Sequence, residues 1–353
     1  MRSRPSRVRT GGALVAPSVL FVGCAALVAL AVVLGVGIGA VPIAPWETVR
    51  ILLGHAGVPV EVDPQKDAVL WAIRLPRVLL GLLVGGALAV SGAALQGIFR
   101  NPLADPTIVG VASGASVGAV AAILLGLSGA VYGGIQGAAF VGGMAAVAVV
   151  YALARHEGRT ETVTLVLVGI AVTAIAGALV GLMIASADDD ELRDIVFWSL
   201  GSLGGATWPL VVATAPFVGV GAVAALMQTR PLDLLALGDR EASHLGVDVE
   251  RVRILLVVAL ALATSAAVAA AGIVAFVGLI VPHLIRLLGG PSHRVVLPAS
   301  LLAGGAVVAL ADLVARTVAA PVELPLGVVT ALAGGPLFLW LVLRTRRNHG
   351  GWT

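Results

Sequence analysis

Residues 74–118 constrain the fold of this chain more than any other segment. Two arginines and a proline (RLPR, 74–77) open an apolar run, VLLGLLVGGALAVSGAALQGIF, that is too long for an ordinary core helix. The run ends in a polar knot with two prolines, RNPLADP, and a second Gly-rich apolar run follows. A soluble domain could not cover such runs. A helix crossing lipid needs them, and the prolines end one helix and start the next at the membrane surface.

Composition agrees. The 353 residues are 59% hydrophobic and 12% charged, whereas soluble domains carry about 25% charge. The 45 glycines suit helices that approach closely in lipid. At roughly 20 residues per crossing, the length accommodates about ten transmembrane helices. The sole cysteine, Cys24, lies in an apolar run and reads as a small core residue. No basic cluster is interleaved with aromatics, so no nucleic-acid partner is expected.

The apolar runs predict spans at 14–40, 71–97, 107–127, 136–155, 163–185, 207–228, 254–272, 274–288, 296–317 and 323–343. The first is too long for a cleaved signal segment and reads as a retained helix. The eighth is short, as a tilted or partly inserted helix would be. With the amino end inside, sixteen of the 22 Lys and Arg fall on inside segments, so both termini are expected in the cytoplasm. Five spans lie on either side of residue 205, and an odd number would make two similar halves inverted. No direct sequence repeat supports this.

Two loops exceed simple connectors. Residues 41–70 contain PWETVRILLG, which predicts an amphipathic surface helix on the outside. Residues 229–253, on the inside, alternate leucines with charges of both signs and predict short helices with one apolar face. Such a face would lie on lipid or dock a cytoplasmic partner. The mixed charges favour docking, because a lipid-binding face would be a cationic comb.

The chemistry within the chain is sparse. Lys66 is the only lysine and no G-x-x-x-x-G-K-[ST] occurs, so the chain cannot itself be a P-loop ATPase. The histidines form neither H-x-x-x-H nor H-E-x-x-H, and no G-x-S-x-G is present. Asp312 is essentially the only carboxylate at membrane depth, and it lies one helical turn before Arg316. A structural ion pair is the favoured role. An ATP-independent secondary transporter would need more coupling-ion ligands than this, and an intramembrane enzyme would need a nucleophile–base or metal-ligand set that is not evident. Small-residue pairs (Gly81 and Gly85; Gly110, Gly114 and Gly118; Gly133 and Gly137; Gly177 and Gly181) predict close helix packing. Asn101, Pro102 and Pro106 are read as a structural turn.

Together, RLPR, SGAALQGIFRNPLADPTIVGVASGA (91–115), FWSLGSL (197–203), GIVAFVGLIVPHLIRLLGG (272–290), ADLVAR and ELPLGVVTALAGGP (within 311–336) resemble the FecCD-type permease subunits of ABC importers for iron–siderophores, haem and cobalamin. The resemblance spans about residues 14–344. It implies an all-α, type II importer permease of ten helices in two inverted halves, with cytoplasmic tails at 1–13 and 345–353 and its place in the bacterial inner membrane. It implies partners: two ATP-binding subunits, a second permease chain, identical or paralogous, and an extracytoplasmic substrate-binding protein. ATP and Mg would belong to the ATPase, with no cofactor bound by this chain. Coupling to the ATPase would fall to Ala236, Leu237, Gly238, Glu241, Leu245 and Gly246. Arg74, Arg77 and Arg316 would dock the binding protein, unless the first two merely anchor their helix, and Thr173, Gly177, Gly181 and Met183 would line the path. A ferric siderophore is the expected cargo by its frequency in the family, with cobalamin or haem as alternatives.

Overall fold

The structure, a computed structural model, describes residues 14–106, 110–131, 133–156, 159–160 and 162–349. The expected tail at 1–13 and the last four residues of the expected tail at 345–353 lie outside them. Ten helices take up the ten predicted spans: α1 (Pro17–Gly37), α2 (Leu75–Ile98), α3 (Val111–Leu124), α4 (Gly134–Ala154), α5 (Thr162–Ile184), α6 (Trp208–Met227), α7 (Val249–Ala271), α8 (Val277–Gly289), α9 (His293–Thr317) and α10 (Leu326–His349). Seven are long and apolar enough to cross a membrane; α3, α8 and the apolar part of α10 are shorter. Most boundaries differ from expectation by a few residues, and two differ by five or six. The long loop after α6 ends at Asp248 rather than at 253, and α10 runs five residues past 344.

α2 is the central post. Its apolar stretch is 83% buried, against 17% for α5, so α2 is enclosed by protein while α5 stands at the periphery. The glycines of α2 make this possible. A Cβ on Gly85 would enter the backbone of Gly304 in α9, and one on Gly304 would enter that of Gly85. Gly92 meets Gly278 of α8 in the same way. Packing partners repeat between the halves. α2 packs on α9 as α7 packs on α4, α3 on α4 as α8 on α9, and α2 on α8 as α7 on α3. Five crossings in each half make the two halves run oppositely.

Proline chemistry shapes the entry to α2. A short helix, Pro64–Ala68, continues through a wide π turn, Val69–Arg74, into α2. In that register the acceptor for residue 76 would be the Trp71 carbonyl, but Pro76 has no N–H to give. The Trp208 indole N–H supplies the bond instead, at 2.8 Å. The surface helix predicted in 41–70 is present at Pro45–His55, with Ile51 turned inward and Trp46 outward.

The eighth span is short, as expected, and a non-helical lead-in precedes it. After α7, residues 272–276 form a non-helical link from Gly272 (φ 70°) to Phe276 (φ 65°) before α8 begins. This lead-in is enclosed by protein: Gly201 and Gly327 lie against Ile273 O, and Gly272 lies against Trp198 O and Gly201. Non-helical backbone is tolerated at membrane depth when protein surrounds it.

Candidate functional site

Three regions along the bundle hold the site residues expected from sequence. The first is the end that holds residues 38–63, 185–207 and 318–325. Arg74, Arg77 and Arg316 meet there, but they are not exposed cations. Arg74 is buried and donates to the carbonyls of Val36 (2.6 Å), Gly37 (3.1 Å) and Val41. Arg316 donates to Gly35 O. The last turn of α1 has no basic residue of its own, so these two arginines satisfy its orphan carbonyls and face the negative end of its dipole. Arg77, also buried, forms one fork with Asp312 and a second with Glu323, whose two oxygens accept from Nη1 and Nη2 at 2.9 Å each. The expected ion pair of Asp312 is therefore made chiefly with Arg77; Arg316, one turn away, stands at 3.9 Å. The Arg77 guanidinium holds the Glu323 carboxyl below its ordinary range. Nearby, Lys66 binds Glu47 at 2.6 Å, which lowers that carboxyl likewise. The exposed charges at this end include the acid-rich start of helix Asp189–Leu200, capped by Asp188, together with Arg50, Glu61, Asp63 and Arg193.

The second region is a groove of ≈ 620 Å³ along α3 and α5, lined by Ser113, Ser116, Thr173 and Gly177 among apolar neighbours that include Ile170 and Ile273. The Ser113 and Thr173 hydroxyls stand 3.3 Å apart. No charged side chain is among its lining residues. Of the four path residues expected from sequence, the groove gathers Thr173 and Gly177. Gly181 is exposed with open space beside it, and Met183 packs against the cluster of Val120, Ile123 and Ile195. Ser113 and Ser116 had no distinguishing signal in a Gly/Ala/Ser-rich run.

The third region is the opposite end. Between α6 and α7 lie two short helices, Thr229–Leu235 and Asp239–His244. Leu232, Leu235 and Ala242 are buried beneath them, while Ala236, Leu237, Glu241, Leu245 and Gly246 face outward. Gly238 is the exception among the expected coupling residues, because it is buried at the bend with φ 122°. The pair is tied down at two points. Asp233 accepts from His293 N at 2.8 Å and lies 2.7 Å from the His293 ring Nδ1. Asp239 accepts from the buried Arg253 at 3.0 Å. Sequence offered no pointer to either pair: Asp233 and His293 are 60 residues apart, and Asp239 and Arg253 are two of many charges in one predicted loop. Here too, Asn101 Oδ1 accepts from Leu103 N at 2.9 Å and shapes the turn before α3. The Gln96 amide donates to Ala104 O at 3.1 Å, and its carbonyl accepts from Arg286. Pro106 lies against Gly278. A glutamine inside an apolar helix was a readable signal of this clamp.

With this arrangement on the page, the comparisons are informative. The chain matches the FecCD transport family over residues 27–344. It is 45% identical to the cobalamin import system permease protein BtuC of Halobacterium salinarum, covering 91% of this chain and 88% of that one. It is 44% identical to the hemin transport system permease protein HmuU of Yersinia pestis, covering 79% and 84%. Among solved structures, an inward-facing metal-chelate type ABC transporter superposes with a TM-score of 0.82 at 34% identity, covering 93% of this chain and 99% of that one. A ten-helix bundle of this packing, matched over nearly its whole length, belongs to the FecCD transport family of ABC importer permeases, multi-pass membrane proteins.

Proposed function

We propose that this chain is the permease of an importer for a corrinoid, working in the inner membrane beside a second permease chain. The carrying observation is the groove at Ser113, Ser116 and Thr173, which offers hydroxyls and no charge. A corrinoid rimmed with amides meets such a wall through neutral hydrogen bonds. Haem with two carboxylates, or an anionic ferric siderophore, would favour a cation there. The relatives named for cobalamin point the same way. The sequence-based preference for a ferric siderophore rests on family frequency alone.

In this reading two ATP-binding subunits dock at the end bearing Leu237 and Leu245, which lie on the cytoplasmic side with both termini. Their exposed apolar side chains beside Arg240 and Glu241 suit a protein groove. ATP and Mg belong to those subunits. An extracytoplasmic binding protein delivers cargo at the opposite mouth. Arg74, Arg77 and Arg316 serve that docking from beneath by fixing the mouth, while Arg50, Arg193 and the acidic start of helix Asp189–Leu200 meet the partner.

The test is uptake of radiolabelled cyanocobalamin, haem and a panel of ferric siderophores by cells lacking the chain. Loss of cyanocobalamin uptake alone, restored by wild type, is expected. Loss confined to haem or one siderophore would replace the cargo. No loss of any would remove the importer reading for these ligands.

A further inference from the structure

Thr160, two residues before α5, meets α7 through every polar atom, and its hydroxyl also lies 3.1 Å from the Tyr151 hydroxyl of α4. Its hydroxyl donates to Glu250 Oε1 at 2.6 Å, its N–H to Glu250 Oε2 at 3.1 Å, and its carbonyl accepts from Arg253 Nη1 at 2.8 Å. Glu250 also accepts from the Tyr151 hydroxyl in the last turns of α4 at 2.9 Å. The first turn of α7 thus grips the α4–α5 hairpin. The same Arg253, buried with a side chain only 5% exposed, reaches Asp239 at the start of the helix Asp239–His244 with its other terminal nitrogen. Asp239 is approached as well by Arg100, at 3.8 Å, from the knot that ends α2.

One planar guanidinium therefore joins the expected coupling segment to the foot of the helix that lines the groove. Among the described residues, no other side chain is bonded to both Asp239 and Thr160. Arg253 Nε is buried and has no partner among the described residues.

We propose that Arg253 is a positioning residue that carries movement of the segment Thr229–Gly246 to the foot of α5. The inference rests on that segment docking an ATPase. Pushing the helix Asp239–His244 shifts Asp239, Arg253 follows its carboxylate, and Thr160 moves with the arginine. α5 then tilts along the groove, which its exposed, weakly packed surface permits. Arg253 touches no cargo.

The test uses the assembled transporter in lipid vesicles, in a Cys24→Ala background, with spin labels at Ile175→Cys on α5 or Ser243→Cys on the coupling segment. Inter-copy distances are compared with and without ATP plus vanadate. In wild type both labels are expected to shift. In Arg253→Gln and Asp239→Asn the Ser243 label still shifts and ATP hydrolysis continues, while the fraction of transporters showing the α5 shift falls about tenfold. Asp239→Asn leaves the grip on Thr160 intact, so its result does not depend on how well the arginine variant folds. An α5 shift of wild-type size in Asp239→Asn overturns the relay. Absence of any shift at Ser243 in wild type overturns the coupling reading beneath it.

Discussion

Arg77 and Asp312, 235 residues apart in the chain, meet at buried positions with Nε 2.9 Å from Oδ2 and Nη2 3.0 Å from Oδ1. The pair fastens α2 to α9 at the end where those helices would otherwise meet only through apolar and glycine contacts. Both side chains are under 10% exposed, so neither charge has water as an alternative partner.

Removing one member should therefore cost more than a surface pair would. Asp312→Ala leaves Arg77 with Glu323 as its single counterion, and a loss of about 3 kcal/mol is expected, the lower end for a broken buried pair. Asp312→Asn keeps an acceptor and should lose about half as much. Thermal denaturation of the purified protein in detergent reads both. An Asp312→Ala variant as stable as wild type would show that the pair does not hold the helices together.

Glycine spacing alone does not say which glycines matter. Gly85 lies against Gly304, and Gly114 and Gly118 lie against Gly142 and Ala138, with no room for a Cβ. Gly133, Gly137, Gly177 and Gly181 share the same spacing and have open space beside them. Gly85→Ala should lower stability by about 1–3 kcal/mol through overpacking. Gly177→Ala should stay within about 0.5 kcal/mol of wild type. The same denaturation assay distinguishes them, and equal losses would mean that α2 and α9 can part without cost.

The Arg77–Glu323 contact sets a pH range. Because Arg77 lowers the folded-state pKa of Glu323, the stability this bond supplies is fully present above the unfolded value, about 4.3 for glutamate, and is lost as pH falls through the lower folded value. Between pH 5 and 8 the loop 318–325 should keep one level of hydrogen-exchange protection, to the extent that this carboxylate controls it. Protection should drop only below about pH 4. A change centred near neutrality would assign control of the loop to another group.

Elements with strong local signals were legible. Ten apolar runs became ten helices, and the RNPLADP knot became a turn, because length, hydropathy and proline act within a few residues. Long-range partners were not. RLPR reads equally as a row of interfacial cations or as internal clamps; only the fold shows that Arg74 and Arg316 cap α1 while Arg77 reaches α9. The shortness of α8 was visible, but the non-helical lead-in at 272–276 was not, since it has the same apolar composition as a helix. The groove was half legible. Thr173 and Gly177 lie on a helix recognisable from its family likeness, whereas Ser113 faces them from a run of small residues in which no position stands out.

Leu237 and Leu245 give the sharpest test of the opposite end. They are 62% and 57% exposed on a short helical segment whose inner leucines, Leu232 and Leu235, are fully buried. The inner pair explains why the segment is folded, and it leaves the outer pair without an internal role. Replacing Leu237 with Glu removes no packed contact, so the thermal stability of the isolated chain should stay within about 0.5 kcal/mol of wild type. If the segment seats in an ATPase groove, the same change buries a carboxylate against an apolar wall and should weaken association by at least tenfold. Co-purification of the ATP-binding subunits, read beside the melting curve, separates the two effects. Loss of the subunits with an unchanged melting curve is the expected result. Full retention with Leu237→Glu and Leu245→Glu combined would place the ATPase contact elsewhere on this end, and the relay through Asp239 and Arg253 would lose its input.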